Sequence, residues 1–121
     1  MKSYFFDSYA LFEIINANPN YAGYLEATLI TTRLNLMELH YGLLRQYGKK
    51  FAEAKYKSLL KYTVEVGDDT IMVANEFRAA HKKLNLSYID CIGYITAKST
   101  GVKFLTGDRQ FNGMENVEYV K

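Results

Sequence analysis

The sequence predicts an α/β fold of three layers, α/β/α, with a mainly parallel central sheet of four to five strands. Short apolar segments typical of strands alternate with longer segments of helical periodicity, the pattern of a parallel sheet covered by helices on both faces. Asp7 and Asp108 each directly follow a predicted strand. Because such sheets bind ligands outside the carboxyl ends of their strands, both carboxylates are expected in the ligand-binding region.

The elements of the N-terminal half have clear local signals. The aromatic run 4–6 favours a strand, and Ser8 is expected to cap a helix that begins near Tyr9. Residues 16–20 break this helix, and a second short helix is expected over residues 21–27. The other elements expected in this half are strands over 29–32 and 63–66 and helices over 36–47, opened by Asn35, and 49–62.

The C-terminal half continues the alternation. A helix is expected from the acidic pair Asp68-Asp69 to about Leu84, and Ser87 opens another that ends near Ser99. The closing elements are strands over 102–106 and 117–120, with a short turn or helix that begins at Gly107-Asp108 between them.

Length and composition are those of one ordered domain over residues 1–121. No low-complexity tract divides the 121 residues, and no apolar run approaches the ~20 residues that span a bilayer. A lone cysteine, Cys91, excludes an intramolecular disulfide and fits a cytoplasmic protein without a membrane partner. The formal charge is +2, but the remaining surface would be more positive if bound metal neutralised several carboxylates, and it could then attract a polyanion.

Four carboxylates stand out, although each has a simple structural explanation. Asp7 ends a strand, Glu38 and Asp90 fit capping-box patterns, and Asp108 can cap a short helix. Their apolar surroundings favour a functional role in addition, because no lysine or arginine lies within four residues of Asp7 or Asp90 to neutralise the charge. A carboxylate drawn into such surroundings needs a compensating charge, which a bound cation supplies.

Oxygen donors favour Mg²⁺ or Mn²⁺, whereas His40 and His81 lack the partner spacing of a zinc site. Several carboxylates without a nucleophile or Walker motif are typical of metal-dependent phosphodiester hydrolysis. Two other functional hypotheses stay open. One is a domain that binds RNA or protein with weak or no catalysis. The other is a phosphatase or receiver domain, although Tyr9 occupies the position where an aspartate-nucleophile phosphatase usually has its second aspartate.

Four blocks of sequence, in order and at suitable spacing, resemble the PIN-domain family and, within it, the VapC-like toxins of toxin–antitoxin pairs. The blocks are residues 4–11 (YFFDSYAL), 35–44 (NLMELHYGLL), 86–97 (LSYIDCIGYITA) and 102–111 (VKFLTGDRQF). The acidic positions of the blocks are Asp7, Glu38, Asp90 and Asp108.

The resemblance implies a PIN-like fold, with these four carboxylates as catalytic and metal-binding residues for Mg²⁺ or Mn²⁺. It also implies cleavage of RNA, frequent homodimerisation and inhibition by a small antitoxin protein. Gln110 stands where many members carry a further acidic residue, so weaker metal binding is expected on the Asp108 side.

Three neighbouring residues are expected to support the site. The hydroxyl groups of Ser8 and Thr106 can orient carboxylates, metal-bound water or phosphate, and Arg109 is a candidate phosphate ligand. Ordinary roles in helix capping, strand formation and solvation explain these residues equally well.

Overall fold

A computed structural model describes residues 2–121 as a central sheet flanked by helices. The strands are β1 (Ser3–Phe6), β2 (Thr28–Ile30), β3 (Lys103–Thr106) and β4 (Val117–Tyr119). The α-helices are α1 (Ser8–Ile15), α2 (Arg33–Tyr47), α3 (Lys49–Leu59), α4 (Asp68–Ala80) and α5 (Tyr88–Ser99). Short 3₁₀ helices cover Pro19–Tyr24, Leu60–Tyr62 and Arg109–Phe111. Within the described residues, no helix is long and apolar enough to span a bilayer.

All four strands are parallel and follow the order β2-β1-β3-β4, which confirms the predicted fold class. Phe5 of β1 pairs with Ile30 of β2 on one side and with Phe104 of β3 on the other. The two central strands, β1 and β3, therefore end side by side at one edge of the sheet. The backbone N–H of Asp7 extends this pairing by donating to the carbonyl of Leu105 (3.2 Å).

Side chains of β1 alternate between two apolar cores. Phe6 faces a core built with α1 and α2, where it packs in one cluster with Leu11 and Leu39. Phe5 points the other way, into a core that includes Phe104 and helix α5. Phe5 and Phe104 are both fully buried and lie stacked, with ring centroids 5.7 Å apart. Because both faces of β1 and β3 are covered, Phe5-Phe6 and Phe104-Leu105 are consecutive apolar residues without the alternation of an exposed sheet.

Two expected elements differ from the structure. Residues 63–66 do not form a strand: they make one isolated parallel bridge, between Thr31 and Thr63, and Val64 donates one further bond to Thr31. Their side chains are at most half-buried, so there is little apolar packing to hold a fifth strand at this edge. The second short helix is a 3₁₀ helix over Pro19–Tyr24 rather than residues 21–27, because Asn18 caps it and the proline occupies its first turn.

The starts of two helices also differ from expectation. Asp7, and not Ser8, caps α1, because its carboxylate accepts the backbone N–H of Ala10. Thr32, and not Asn35, caps α2, which places Asn35 inside the first turn of that helix. Both shifts matter for function, because they free the side chains of Ser8 and Asn35 to interact with each other.

Candidate metal centre

Asp7 and Asp108 follow the two central strands at the same edge of the sheet. Asp7 comes directly after β1 and is only 4% exposed. Asp108 follows β3 after one intervening glycine and is half-buried. Each carboxylate uses one oxygen for a helix cap: Asp7 Oδ1 accepts from Ala10 N–H (2.9 Å), and Asp108 Oδ1 accepts from Gln110 N–H (3.0 Å).

Close packing holds the turn that carries Asp108. A Cβ atom on Gly107 would lie 2.2 Å from the ring of Tyr9 and 2.5 Å from the carbonyl oxygen of Val120. Only glycine fits between this ring and this backbone without a shift of the chain. The hydroxyl of Thr106, fully buried, also accepts the backbone N–H of Asp108 (3.1 Å). The two residues before Asp108 therefore position it. Gly107 allows the close packing because it has no side chain, and Thr106 accepts a hydrogen bond from the Asp108 N–H.

Glu38 reaches the site from α2 and is held by a hydrogen-bonded chain. Its Oε1 accepts a short bond from the hydroxyl of Ser8 (2.6 Å). The amide of Asn35 donates to that same hydroxyl (3.2 Å), and its oxygen accepts from the Thr32 hydroxyl (2.6 Å). Asn35 and Thr32 are buried, so the chain is sheltered from water. Sequence reasoning missed the role of Asn35, although Thr32 three residues earlier is a signal for an earlier cap.

Asp90 lies in the first turn of α5, where it forms the capping box that the sequence predicts. Its Oδ2 accepts the backbone N–H of Ser87 (2.9 Å), and its own N–H donates to the Ser87 hydroxyl (3.0 Å). The box fixes the carboxylate at the start of the helix and leaves its other oxygen available. Capping and ligand binding are therefore compatible for this residue.

Charge repulsion between acidic side chains links Asp7 to Asp90 and Asp108, and links Glu38 to Asp90. Burial is the main cause that raises the pKa of Asp7 to about 7, and the charges of Asp90 and Asp108 raise it further. Hydrogen bonds from Thr106 and Ala10 act in the opposite direction and do not offset the burial. An aspartate with this pKa is half protonated near neutral pH unless a positive charge lies beside it.

Burial and acidic neighbours also raise the pKa values of Glu38 and Asp90. The pKa of Glu38 is raised by burial and by the charge of Asp90, against the hydrogen bond from Ser8. The pKa of Asp90 is raised by burial and by Asp108, against its bonds with Ser87. Among residues 2–121, the only ion pairs join Lys57 to Glu53 and Lys98 to Glu115. No protein cation therefore neutralises the cluster.

The donor set fits a hard divalent cation. Within the described part of the chain, no group of three or more His, Cys, Asp or Glu side chains is arranged so that it could hold a metal ion between them. Mg²⁺ does not require such a group, because it usually binds through one or two carboxylates and keeps several water molecules. The two histidines lie elsewhere: His40 packs edge-on against Tyr56, and His81 bonds to the carbonyl of Phe77. Carboxylate oxygens without a neighbouring protein cation, including those of the buried Asp7, are the type of ligand that Mg²⁺ and Mn²⁺ prefer.

Of the remaining candidates, Arg109 is exposed on the 3₁₀ turn beside Asp108, at the edge of the cluster. Gln110 has a structural partner: both ends of its amide bond to the backbone of Asn85, its oxygen to the N–H and its nitrogen to the carbonyl. The pair ties the Asp108 turn to the loop that precedes α5. Gln110 therefore links the two segments that carry Asp108 and Asp90.

Comparison of the sequence with protein families gives one assignment. The model of the family described as PIN domain matches residues 4–116, which is nearly the whole chain. No functionally curated protein matches the sequence at a significant level.

Solved structures share the fold over nearly the whole chain at low identity. A toxin–antitoxin complex from Klebsiella pneumoniae is 20% identical with a TM-score of 0.77, over 96% of each chain. The Mycobacterium tuberculosis toxin VapC20, described as cleaving the sarcin-ricin loop, is 19% identical with a TM-score of 0.77, over 96% of this chain and 99% of its own. DNA-bound VapBC from Salmonella typhimurium is 18% identical with a TM-score of 0.72, over 98% and 97%.

Proposed function

Because this chain belongs to the PIN-domain family, we propose that it is an endoribonuclease that depends on Mg²⁺ or Mn²⁺ and serves as the toxin of a type II toxin–antitoxin pair. In this proposal residues 1–121 form a single nuclease domain that works in the cytoplasm as a homodimer. A small antitoxin protein restrains it. The observation that carries the proposal is a group of acidic side chains whose charges act on one another, with no protein cation to neutralise them.

Asp7, Glu38, Asp90 and Asp108 would hold the cation through the oxygens that their hydrogen bonds leave available. When bound, the cation supplies the positive charge that favours ionisation of an attacking water and stabilises the leaving oxygen of the phosphodiester. Asp7 is shielded from solvent, which strengthens its attraction to a cation. Arg109, exposed beside Asp108, would bind a phosphate of the RNA backbone.

Structural likeness supports the choice of partner. Two of the similar folds come from a toxin–antitoxin complex and from a VapBC assembly, and a third belongs to a toxin described as cleaving the sarcin-ricin loop. On this basis we propose that an antitoxin binds this chain as well. A short reading frame beside its gene, encoding a DNA-binding N-terminus and a disordered C-terminus, would be the expected source of the antitoxin.

A second candidate is a PIN-like domain that holds RNA or a protein partner without cutting. Gln110 favours it to some extent, because an amide engaged with Asn85 replaces a further acidic group. The four retained carboxylates favour the nuclease. RNA binding that is unaffected by metal, with no cleavage of any tested RNA, would decide for the second candidate.

Purified protein is expected to cleave RNA only when a divalent cation is present. The experiment incubates total cellular RNA with the metal-free protein, then adds Mg²⁺ or Mn²⁺, and separates the products on a denaturing gel. Cleavage should appear with either metal and stop when EDTA is added in excess. Equal cleavage in EDTA would point to a contaminating metal-independent nuclease or to another mechanism, and either result would remove the support for the proposal.

Ser8→Ala is expected to lower the cleavage rate by about tenfold, the usual cost of losing a group that orients a metal ligand. The substitution removes the 2.6 Å hydrogen bond to Glu38 and leaves the amide of Asn35 without its acceptor. Since the Ser8 bond lowers the pKa of Glu38, the rate profile should also shift to higher pH. Ser8→Thr, which keeps the hydroxyl, is the matched control and should retain most activity. A rate unchanged in Ser8→Ala would show that Glu38 does not need this bond.

A further inference from the structure

A cavity of about 410 Å³ lies between α4 and the start of α5, outside the carboxylate cluster. Arg78 and Lys82 contribute its positive charge, and Asn85, Leu86 and Tyr88 form the wall on the side of α5. No acidic side chain lines it. Neither cation is within salt-bridge distance of a carboxylate anywhere in residues 2–121. The cavity is therefore a cationic site without a protein counter-charge.

Two of the lining side chains, Arg78 and Tyr88, form a cation–π pair. The guanidinium carbon of Arg78 lies 4.2 Å from the centroid of the Tyr88 ring, and Arg78 Nε donates to the carbonyl of Leu86 (3.0 Å). Arg78 is half-buried, whereas the Tyr88 side chain is 61% exposed. An exposed aromatic ring backed by a fixed guanidinium is a suitable surface for stacking a nucleobase.

The wall of the cavity is physically joined to the candidate metal centre. Tyr88 is the first residue of α5 and precedes Asp90 by two positions. Asn85 is tied through its backbone to Gln110, two residues beyond Asp108. The loop that lines the cavity is therefore connected both to the helix that carries Asp90 and to the turn that carries Asp108.

From these contacts we propose that the cavity binds the base and adjoining phosphate of a nucleotide next to the scissile bond in single-stranded RNA. This inference rests on the proposed ribonuclease function and names the residues that would hold the nucleotide beside the cut. Single-stranded RNA is the class that fits, because its unstacked bases can turn out onto an aromatic side chain. The Tyr88 ring stacks on the base, and Arg78 and Lys82 attract the phosphate.

Binding is tested in the Asp90→Asn background, so that RNA is not cut, with fluorescently labelled single-stranded hexanucleotides and anisotropy. Tyr88→Ala should weaken binding by about tenfold, the order expected for one lost stacking interaction. Tyr88→Phe keeps the ring and should stay within about twofold. Tyr41→Ala is the matched control, because Tyr41 is 62% exposed and lies near Arg45 in a similar pair on α2. Equal binding by Tyr88→Ala, equal losses in both alanine variants, or equal competition by duplex RNA would overturn the inference.

The cleavage assay separates this inference from the proposed function. In the active protein, Tyr88→Ala should raise KM about tenfold with kcat near that of the parent, and should reduce base preference beside the cut. If the protein cleaves RNA and Tyr88→Ala changes neither KM nor base preference, the cavity inference fails and the nuclease function stands. If no RNA is cleaved but binding still depends on Tyr88, the nuclease function fails and the cavity stands. Binding of a glutamate-rich peptide in place of RNA would assign the cavity to a protein partner and overturn the inference.

Discussion

Asp90→Asn is expected to reduce RNA cleavage by at least about a hundredfold while the protein remains folded. The substitution removes one negative charge from the cluster, and with it part of the attraction for a divalent cation. The fold should survive, because an asparagine oxygen can still accept the Ser87 N–H that the carboxylate accepts at 2.9 Å. The measurement is the initial rate of cleavage with saturating Mn²⁺, together with the thermal midpoint of each protein.

The matched control for this variant is Asp69→Asn. Asp69 is exposed in the first turn of α4, so its replacement makes the same chemical change away from the cluster. Its cleavage rate should stay within about twofold of the parent protein, with a stability loss of ~0.3–1 kcal/mol from the helix dipole. An Asp90→Asn protein that folds normally and keeps its activity would count decisively against the proposed metal centre.

The metal-free protein is expected to lose stability as the pH rises from about 4 to about 7. The reason is Asp7, whose pKa is raised from 3.8 to about 7 in the folded state. Between these values the folded chain holds a proton that the unfolded chain has released, so the contribution of Asp7 to stability is greatest below pH 3.8 and falls until the pH passes about 7. The full effect is on the order of 4 kcal/mol as an upper estimate. Glu38 and Asp90, whose pKa values are also raised, act in the same direction.

Divalent cations should reverse this loss above pH 7. A ligand that binds only the folded state at a hundred times its Kd adds about 2.7 kcal/mol, and the cation binds the ionised carboxylates. Thermal midpoints from pH 5 to 8, with EDTA or with Mn²⁺, test both statements. Asp7→Asn is the matched variant: asparagine keeps the N-cap, so the protein should be more stable than the parent in EDTA at pH 8 and respond less to pH. A parent protein more stable in EDTA at pH 8 than at pH 5 would contradict the account.

Local patterns were sufficient to predict much of this structure. The aromatic run before Asp7, the apolar run before Gly107 and the Ser87 capping box mark β1, β3 and the start of α5. Parallel strands covered by helices follow from the alternation of these elements. Signals at helix starts were less discriminating, because Asp7 and Ser8 are both good caps and only the hydrogen bond to Ala10 distinguishes them.

Other features depend on contacts between distant parts of the chain. The Thr32–Asn35–Ser8–Glu38 chain of hydrogen bonds joins α1 to α2, and the Gln110–Asn85 pair joins two turns that lie 25 residues apart. The absence of the expected fifth strand also depends on distant contacts. Residues 63–66 have a composition suited to a strand, but tertiary packing leaves them one bridge at the edge of the sheet. Such partners cannot be read from a local pattern.

The amino-acid sequence alone determined four strands and five α-helices in their order along the chain and the parallel α/β class, and it singled out four candidate carboxylates. These are local properties, because periodicity, capping and hydropathy act over a few neighbouring residues. Only the tertiary structure decided that β1 and β3 end side by side, which brings Asp7 and Asp108 to the same edge of the sheet. Burial in that fold raises the pKa of Asp7, and the charges of Asp90 and Asp108 raise it further. Charge repulsion and burial depend on distance in space, and that distance exists only once the sheet has formed.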